Sequence, residues 1–379
     1  MVKVVVTGIG LASAGGDLKS SWQGLLQGKS ALRLAQPFFD LSPRLLGLIG
    51  QKPMNLARLG DRVLPDLLQD ARLSPPLPDC AVVVGSSRGC QGDLEALRRG
   101  EGDLSLWLDY LPHQGAISLA RKVGATGIVL SPMAACATGL WAIARATELI
   151  LKGECQQAIA GAMEAPITPL TLAGFTKMGA LAKTSAHPFD LQRNGFVLGE
   201  GAALFVLETE KGAKQRGAKI YGEIAGFGWT ADGYHVSAPD ITGKSGAIAI
   251  QQCLTRSNLQ ASDINYIHAH GTSTRLNDAN EAQLIQALFP PSVAVSSTKG
   301  ATGHTLGASG ALGIAFTLLA LQQQILPPCV GLNEPEFDLN FVTTACHTEV
   351  DYALVLSFGF GGQNIAIALR RYSEVIGIE

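Results

Sequence analysis

Residues 127–150 read GIVLSPMAACATGLWAIARATELI, and residues 293–321 read VAVSSTKGATGHTLGASGALGIAFTLLAL. Each begins as a short β-branched run, turns through small residues, and continues as a helix that is apolar around most of its circumference. A helix without a polar face must be covered on every side, so both belong in the middle of a layered molecule. The repetition of strand, small-residue loop and buried helix suggests two similar halves, 1–215 and 216–379, meeting near residues 211–221.

Outward from these segments the same alternation continues. Strands are expected at 2–7, 81–85, 127–130, 158–161, 202–207, 266–269, 293–296, 352–357 and 364–368. Helices are expected at 20–27, 63–71, 139–152, 247–257, 279–287 and 308–323. Alternation of this kind indicates an α/β fold with much parallel sheet. Apolar runs such as VVV (4–6) and AVVVG (81–85) read as strands buried on both faces. Glycines interrupt the first strand early, so the chain is read as entering a loop after Thr7.

Composition limits the function. The chain has 379 residues, 47% hydrophobic and 16% charged, with a net charge of −2. Such a balance gives no drive toward nucleic acid or an anionic membrane. The apolar run 310–321 is too short to span a bilayer, and the opening run is too short for a signal peptide. Seven cysteines, at 80, 90, 136, 155, 253, 329 and 346, include no Cys-x-x-Cys pair. That count suits neither a disulfide framework nor a zinc site, so no metal is expected, and a reducing, cytoplasmic setting is.

Four segments carry side chains suited to chemistry. Cys136 lies where a strand turns into a long helix, a geometry that exposes a nucleophile at a helix N-terminus and favours its thiolate. A cysteine between alanines is equally at home as a small buried hydrophobe. His270 stands at a strand end before Gly271, followed by Thr272, Thr274, Asp278 and Glu281; here the acids also read as helix caps, and His268 reads as structural. Lys299 and His304 share a glycine-rich loop and would need partners if buried. SFGFGGQN (357–364) is a loop with Phe358 and Phe360 free to swing, able to present a backbone N–H to an oxyanion or to be a plain turn. In an α/β sheet such strand-end loops gather at one edge.

AACATG (134–139), AHGTSTRLNDANE (269–281), SSTKGATGHTLGASG (296–310) and SFGFGGQN resemble, in order, the four signature segments of β-ketoacyl-[acyl carrier protein] synthases. SAHPFDLQRNGFVLGEGAALFVLE (185–208) resembles a fifth, and the opening VVVTGIGLASAGG with SSWQGLLQGKS (20–30) resembles the family's N-terminus. The resemblance implies a thiolase-like fold, two duplicated halves in a five-layer αβαβα core, and a homodimer. It implies that Cys136 takes the acyl chain from the phosphopantetheine of an acyl carrier protein, while His270 and His304, as neutral donors, assist decarboxylation of the malonyl thioester. Lys299 and Glu281 would form a supporting ion pair. The amides of Cys136 and Phe360 would form the oxyanion hole, with Phe360 as gate. Thr272 and Thr274 would bind the pantetheine arm, and Phe175 and Phe358 would line the substrate path. Arg58 and Arg62 fall where the acidic carrier protein docks, or on a solvated helix face. No bound cofactor is implied, since the pantetheine arrives on the carrier. A histidine at 304 marks the elongating Cys-His-His type.

The sequence departs from the family at His187, usually Arg, and at Asn194, usually Asp, so an ion pair there is expected to be missing. Residues 40–125 are short and match poorly, which leaves acyl length open. Two other readings compete. One is a catalytically silent, chain-length-factor-like partner, against which stand Cys136 and both histidines. The other is a nicotinamide oxidoreductase suggested by VVVTGIGLAS, which lacks the third glycine of the fingerprint and a following acidic residue.

Overall fold

The structure, a computed structural model, describes residues 2–373. The first half contributes strands β1 (Val4–Ser13), β2 (Ala81–Gly85), β3 (Val129–Leu130), β4 (Gln157–Glu164) and β5 (Gly201–Thr209). The second contributes β6 (Gly222–Ala231), β7 (Tyr266–His268), β8 (Ala294–Ser296), β9 (Asn340–Phe341), β10 (Tyr352–Gly359) and β11 (Gln363–Arg370). They hydrogen-bond in the order β9-β8-β7-β10-β11-β6-β1-β5-β4-β2-β3.

The two halves meet at β1 and β6, where Val5 faces Glu223 and Val6 faces Gly222. From this seam outward both follow one plan. β1, β5 and β4 are antiparallel neighbours, followed by β2 and β3 in parallel. β6, β11 and β10 are antiparallel neighbours, followed by β7 and β8 in parallel. The sheet is therefore mixed, with its parallel strands confined to the outer parts.

Helices complete five layers. α1 (Leu56–Ala71) covers the outside of the first half, and α2 (Thr138–Leu151) and α5 (Ser309–Gln323) lie between the halves. α3 (Lys244–Ser257) and α4 (Arg275–Leu288) cover the outside of the second. Every residue of Ser309–Leu321 is buried, as its lack of a polar face requires. The apolar helical stretch Leu306–Gln323 is 18 residues long, longer than the sequence suggested, yet 89% of it is buried inside the chain. Protein, rather than lipid, covers it.

Among the long strands, two expectations need correction. β1 does not end at Thr7 but runs on through Gly8 and Gly10, and β6 was not anticipated at all. The cause is the same in both. A Cβ on Gly8 would fall 2.5 Å from that of Ala71, and one on Gly10 would collide with the Val63 carbonyl. In the second half, a Cβ on Gly226 would lie 2.7 Å from the Ser257 nitrogen, and one on Gly228 would strike the Ala249 carbonyl. These glycines let α1 and α3 press onto the strands, a use of strand glycine that propensity scores as a break. Helix starts moved as well: α1 begins at Leu56, where the Asn55 side chain caps the Arg58 N–H.

Gly228→Ala is accordingly expected to cost about 2 kcal/mol or more through overpacking against helix backbone. Gly24, which has nothing within 4 Å of an added Cβ, should instead gain several tenths of a kcal/mol as alanine. Thermal denaturation of the two variants checks the contrast, and equal melting shifts would contradict it.

Candidate active site

The nucleophile candidate sits on a strained elbow. Ala135 adopts φ +46°, outside ordinary backbone for a residue with a side chain. Thr138 Oγ1 holds it there, accepting from Ala134 N–H at 2.9 Å and donating to the Ala135 carbonyl at 2.7 Å. Ser357 Oγ donates to the Cys136 carbonyl at 3.0 Å. Gly359 packs on the elbow so tightly that a Cβ would lie 2.7 Å from Ala134 O. That approach aims the Phe360 N–H at the Cys136 sulfur.

The second half supplies a matching elbow. Leu306, with φ +43°, opens the turn into α5, and His304 stands just before it. His304 Nε2 is 3.2 Å from Cys136 Sγ, and its Nδ1 is 2.8 Å from Ser309 Oγ. The Ser309 hydroxyl also accepts from Thr305 N–H at 3.0 Å. Its rotor therefore decides the His304 tautomer. When it donates to Nδ1, Nε2 carries the proton. When it accepts, Nε2 is free to take one.

His270 completes the group, its ring 5.4 Å from that of His304 at an interplanar angle of 83°. Its backbone N–H and that of Gly271 donate to the two oxygens of Glu281 at 2.6 and 2.7 Å. Lys299 Nζ donates to the His270 carbonyl and lies 3.5 Å from its Nδ1. The expected Lys299–Glu281 ion pair is thus not a direct contact. The two charges grip one backbone turn from opposite sides, the carboxylate holding amides and the ammonium a carbonyl, because each finds a buried backbone group nearer than the other.

Burial governs the titration. It drives both His270 and His304 well below the ordinary imidazole value, and the nearby Lys299 charge pushes the same way. Both rings are neutral at physiological pH. Burial pulls the Lys299 ammonium down and pushes the Glu281 carboxyl up, and each partner's charge opposes its own shift. Burial also pushes the Cys136 thiol up to about 11, although Lys299 and the Phe360 amide pull it down. Burial thus works against the thiolate that the helix terminus would favour. The donor atoms of Cys136, His270 and His304 lie within 4.8 Å of one another. A soft cation could be held by such a set, but a protonated thiol and two neutral imidazoles at that spacing are equally suited to proton transfer.

A cavity of about 470 Å³ opens from this trio. Thr272 and Thr274, whose hydroxyls are 2.9 Å apart, lie along it with Phe358 and Phe360. Phe358 approaches His270 at 6.0 Å, and Phe360 is one-third exposed. Phe175 lines the same cavity, 6.3 Å from Phe360 and 5.1 Å from Phe196. Arg58 and Arg62 are exposed on α1 and do not line the cavity; the cations along its lining are Lys183 and Arg275.

The departures at 187 and 194 leave no gap. His187 Nδ1 is 2.8 Å from the Gly331 carbonyl, and Asn194 Oδ1 accepts from Lys183 N–H at 3.0 Å. Arg193, between them, makes a buried ion pair with Asp278, at 3.9 Å, and a second, partly exposed one with Glu336. Sequence reasoning missed Ser309, Ser357 and Glu164. Glu164 accepts from Ser86 Oγ, Ser87 N–H, Arg88 N–H and Gly307 N–H at 2.7–3.0 Å. Its one signal was an acid closing an apolar strand.

Comparison with known proteins agrees with this geometry. Residues 38–213 match the model of the β-ketoacyl synthase N-terminal domain, and residues 221–333 match that of the C-terminal domain. The chain belongs to the β-ketoacyl synthase family. It is 34% identical to 3-oxoacyl-[acyl-carrier-protein] synthase 2 of Vibrio harveyi over 415 residues, covering 98% of this chain and 99% of that one. It is 36% identical to the protein of the same name from Mycobacterium tuberculosis, covering 97% of each. Among solved structures, a β-ketoacyl synthase from Burkholderia phymatum superposes with a TM-score of 0.90 at 29% identity, covering 98% and 100% of the two chains. A type II polyketide ketosynthase in complex with its acyl-carrier protein and bound to the hexaketide gives 0.91 at 29% identity, with the same coverage. The layered α/β fold is therefore the family's thiolase-like one.

A thiol held near 11 sets the pH response of the free enzyme. Below that value the thiolate fraction, and with it the rate of alkylation by iodoacetamide, rises about tenfold per pH unit. Alkylation of Cys136, followed by mass spectrometry, is expected to climb from pH 7 to 9.5 without a plateau. A plateau near pH 7 would show a thiolate at rest.

Proposed function

We propose that this member of the family is an elongating β-ketoacyl-[acyl carrier protein] synthase that joins a Cys136-bound acyl chain to malonyl carrier protein with loss of CO₂. The observation that carries this reading is the 3.2 Å contact between Cys136 Sγ and His304 Nε2, both of which line the cavity. A silent partner subunit has no use for that contact.

In the first step the Cys136 sulfur attacks the acyl thioester, its proton ending on the departing pantetheine thiol. A neutral His304 in the Ser309-accepting tautomer is placed to relay that proton. The amides of Cys136 and Phe360 would face the oxyanion. In the second step the malonyl carboxylate leaves as CO₂, and the electrons of the broken C–C bond form an enolate. Neutral His270 and His304 would donate to its oxygen, which the dry, Lys299-biased pocket favours by keeping imidazolium out. The enolate carbon then bonds to the acyl carbon and the Cys136 thiolate is released. Glu281 and Lys299 would act by fixing the His270 turn, and Thr272 and Thr274 by holding the pantetheine arm. Phe358 and Phe360 would move to admit the second substrate, and Phe175 would face the acyl chain.

The partner would be an acyl carrier protein, whose acidic surface suits Lys183 and Arg275 at the mouth, with Arg58 and Arg62 on a neighbouring exposed face. No further cofactor is proposed. A homodimer is proposed as well. Leu104, Leu106, Trp107 and Leu108 are each 46–70% exposed in one short segment, and β3 ends the sheet with an unpaired edge. Leu104→Glu with Leu108→Glu should lower the sedimentation mass to a monomer's; an unchanged mass would remove this face from the interface.

Intact-protein mass spectrometry with acyl carrier-protein thioesters tests the reaction. Wild type should gain one acyl group, and Cys136→Ala should gain none. Cys136→Gln should release CO₂ from malonyl carrier protein without condensation, and His304→Ala should lose decarboxylation more than acylation. Acylation surviving in Cys136→Ala would refute the nucleophile.

A further inference from the structure

Phe175 lines the cavity beside Cys136 with Phe196 and Leu306, and packs in one buried apolar cluster with Leu46 and Ile167. Against its ring stands a charge. The Arg88 guanidinium lies 5.3 Å from the Phe175 centroid, and its field reaches the Cys136 thiol, favouring the thiolate. Arg88 is half-buried. Among the described residues no carboxylate lies within 4 Å of it, and its side chain makes no hydrogen bond; only its backbone N–H is engaged, by Glu164. Glu164 itself already serves four donors. An aromatic face attracts the charge but satisfies none of the five guanidinium N–H groups.

The placement is rigid. Arg88 follows directly on β2, in a turn whose Ser86, Ser87 and Arg88 are all fastened to the buried Glu164. Arg88 does not itself line the cavity at Cys136, but it stands against Phe175, which does, so a chain long enough to pass that ring would meet this guanidinium. A saturated chain laid over it would strip its remaining water and return nothing, a loss wherever a polar group is covered without a partner. A chain bearing an oxygen there would replace that water with a charge-assisted hydrogen bond.

We propose that Arg88 is a specificity-determining residue of the acyl pocket, selecting chains that carry an oxygen acceptor, carboxylate or keto carbonyl, beyond Phe175 over alkyl chains of equal length. The inference rests on the condensing function proposed above and names its substrate class. Discrimination should be about tenfold or more, the worth of one hydrogen bond to a charged group.

The test is the rate of Cys136 acylation, read by intact-protein mass spectrometry, with hexanoyl, 5-oxohexanoyl and 5-carboxypentanoyl carrier-protein thioesters. Wild type should take one or both oxygenated chains at least about tenfold faster than hexanoyl. A preference confined to the carboxylated chain identifies a carboxylate as the acceptor; a preference for both identifies any carbonyl oxygen. Arg88→Leu should reverse the order, and Arg88→Lys should keep the preference for the carboxylated chain. Equal rates in wild type, or an order unchanged in Arg88→Leu, would overturn the inference while leaving the condensing function intact. No acylation by any of the three would overturn both.

Discussion

The two middle helices touch at their N-termini, and the site exists because they can. A Cβ on Gly139 would lie 2.9 Å from the Gly307 carbonyl, and one on Gly310 would lie 2.6 Å from Leu140 Cγ. With hydrogens there instead, α2 and α5 start almost in contact, and the elbows leading into them face each other. Cys136 comes from one elbow and His304 from just before the other. Their 3.2 Å separation is thus fixed by helix packing, which is stiff, rather than by loops that would need to be held. The seam between β1 and β6 aligns the halves, and the five-layer stack keeps water from the result.

Dryness then sets the chemistry. Imidazoles sealed from solvent beside an ammonium stay neutral, so they donate hydrogen bonds instead of holding charge. The ammonium itself is tolerable only because the His270 carbonyl accepts a hydrogen bond from it and the Glu281 carboxylate holds the same turn. A bare imidazolium next to the malonyl carboxylate would stabilise the group that must leave. The arrangement avoids this by holding the Lys299 ammonium on the backbone carbonyl of His270, so that the rings themselves stay neutral.

Much of this was legible in the sequence, and what was not has definite causes. Apolar all-round helices at 139–152 and 308–323 announced the middle layer because nothing else explains a missing polar face. Cys136, His270 and His304 could be picked out from strand-end positions and the motifs around them. β6 could not, because GEIAGFGWTA carries glycines at the places where α3 touches it, and a residue chosen for close approach looks like a residue chosen for a turn. Lys299 and Glu281 were paired correctly by charge but not by contact, since backbone acceptors have no letter in a sequence. Ser309 and Glu164 sit in ordinary surroundings, and only distance in space gives them work.

The twin elbows also say something about how the molecule divides its labour. In the first half the residue after the strained position is Cys136; in the second, after Leu306, it is Gly307. A side chain at Gly307 would run into the Glu164 carboxylate, the group that fastens the β2 loop. A duplicated fold offers two sockets for a nucleophile, and here the second socket has become a joint. Each half consequently lacks something only the other supplies: one has the sulfur without its proton partner, the other the imidazoles without a sulfur. Inheritance of the activity is therefore inheritance of the fit between halves, and swapping either half for that of a distant relative would keep both signatures while losing the ångström-scale match that makes them a site.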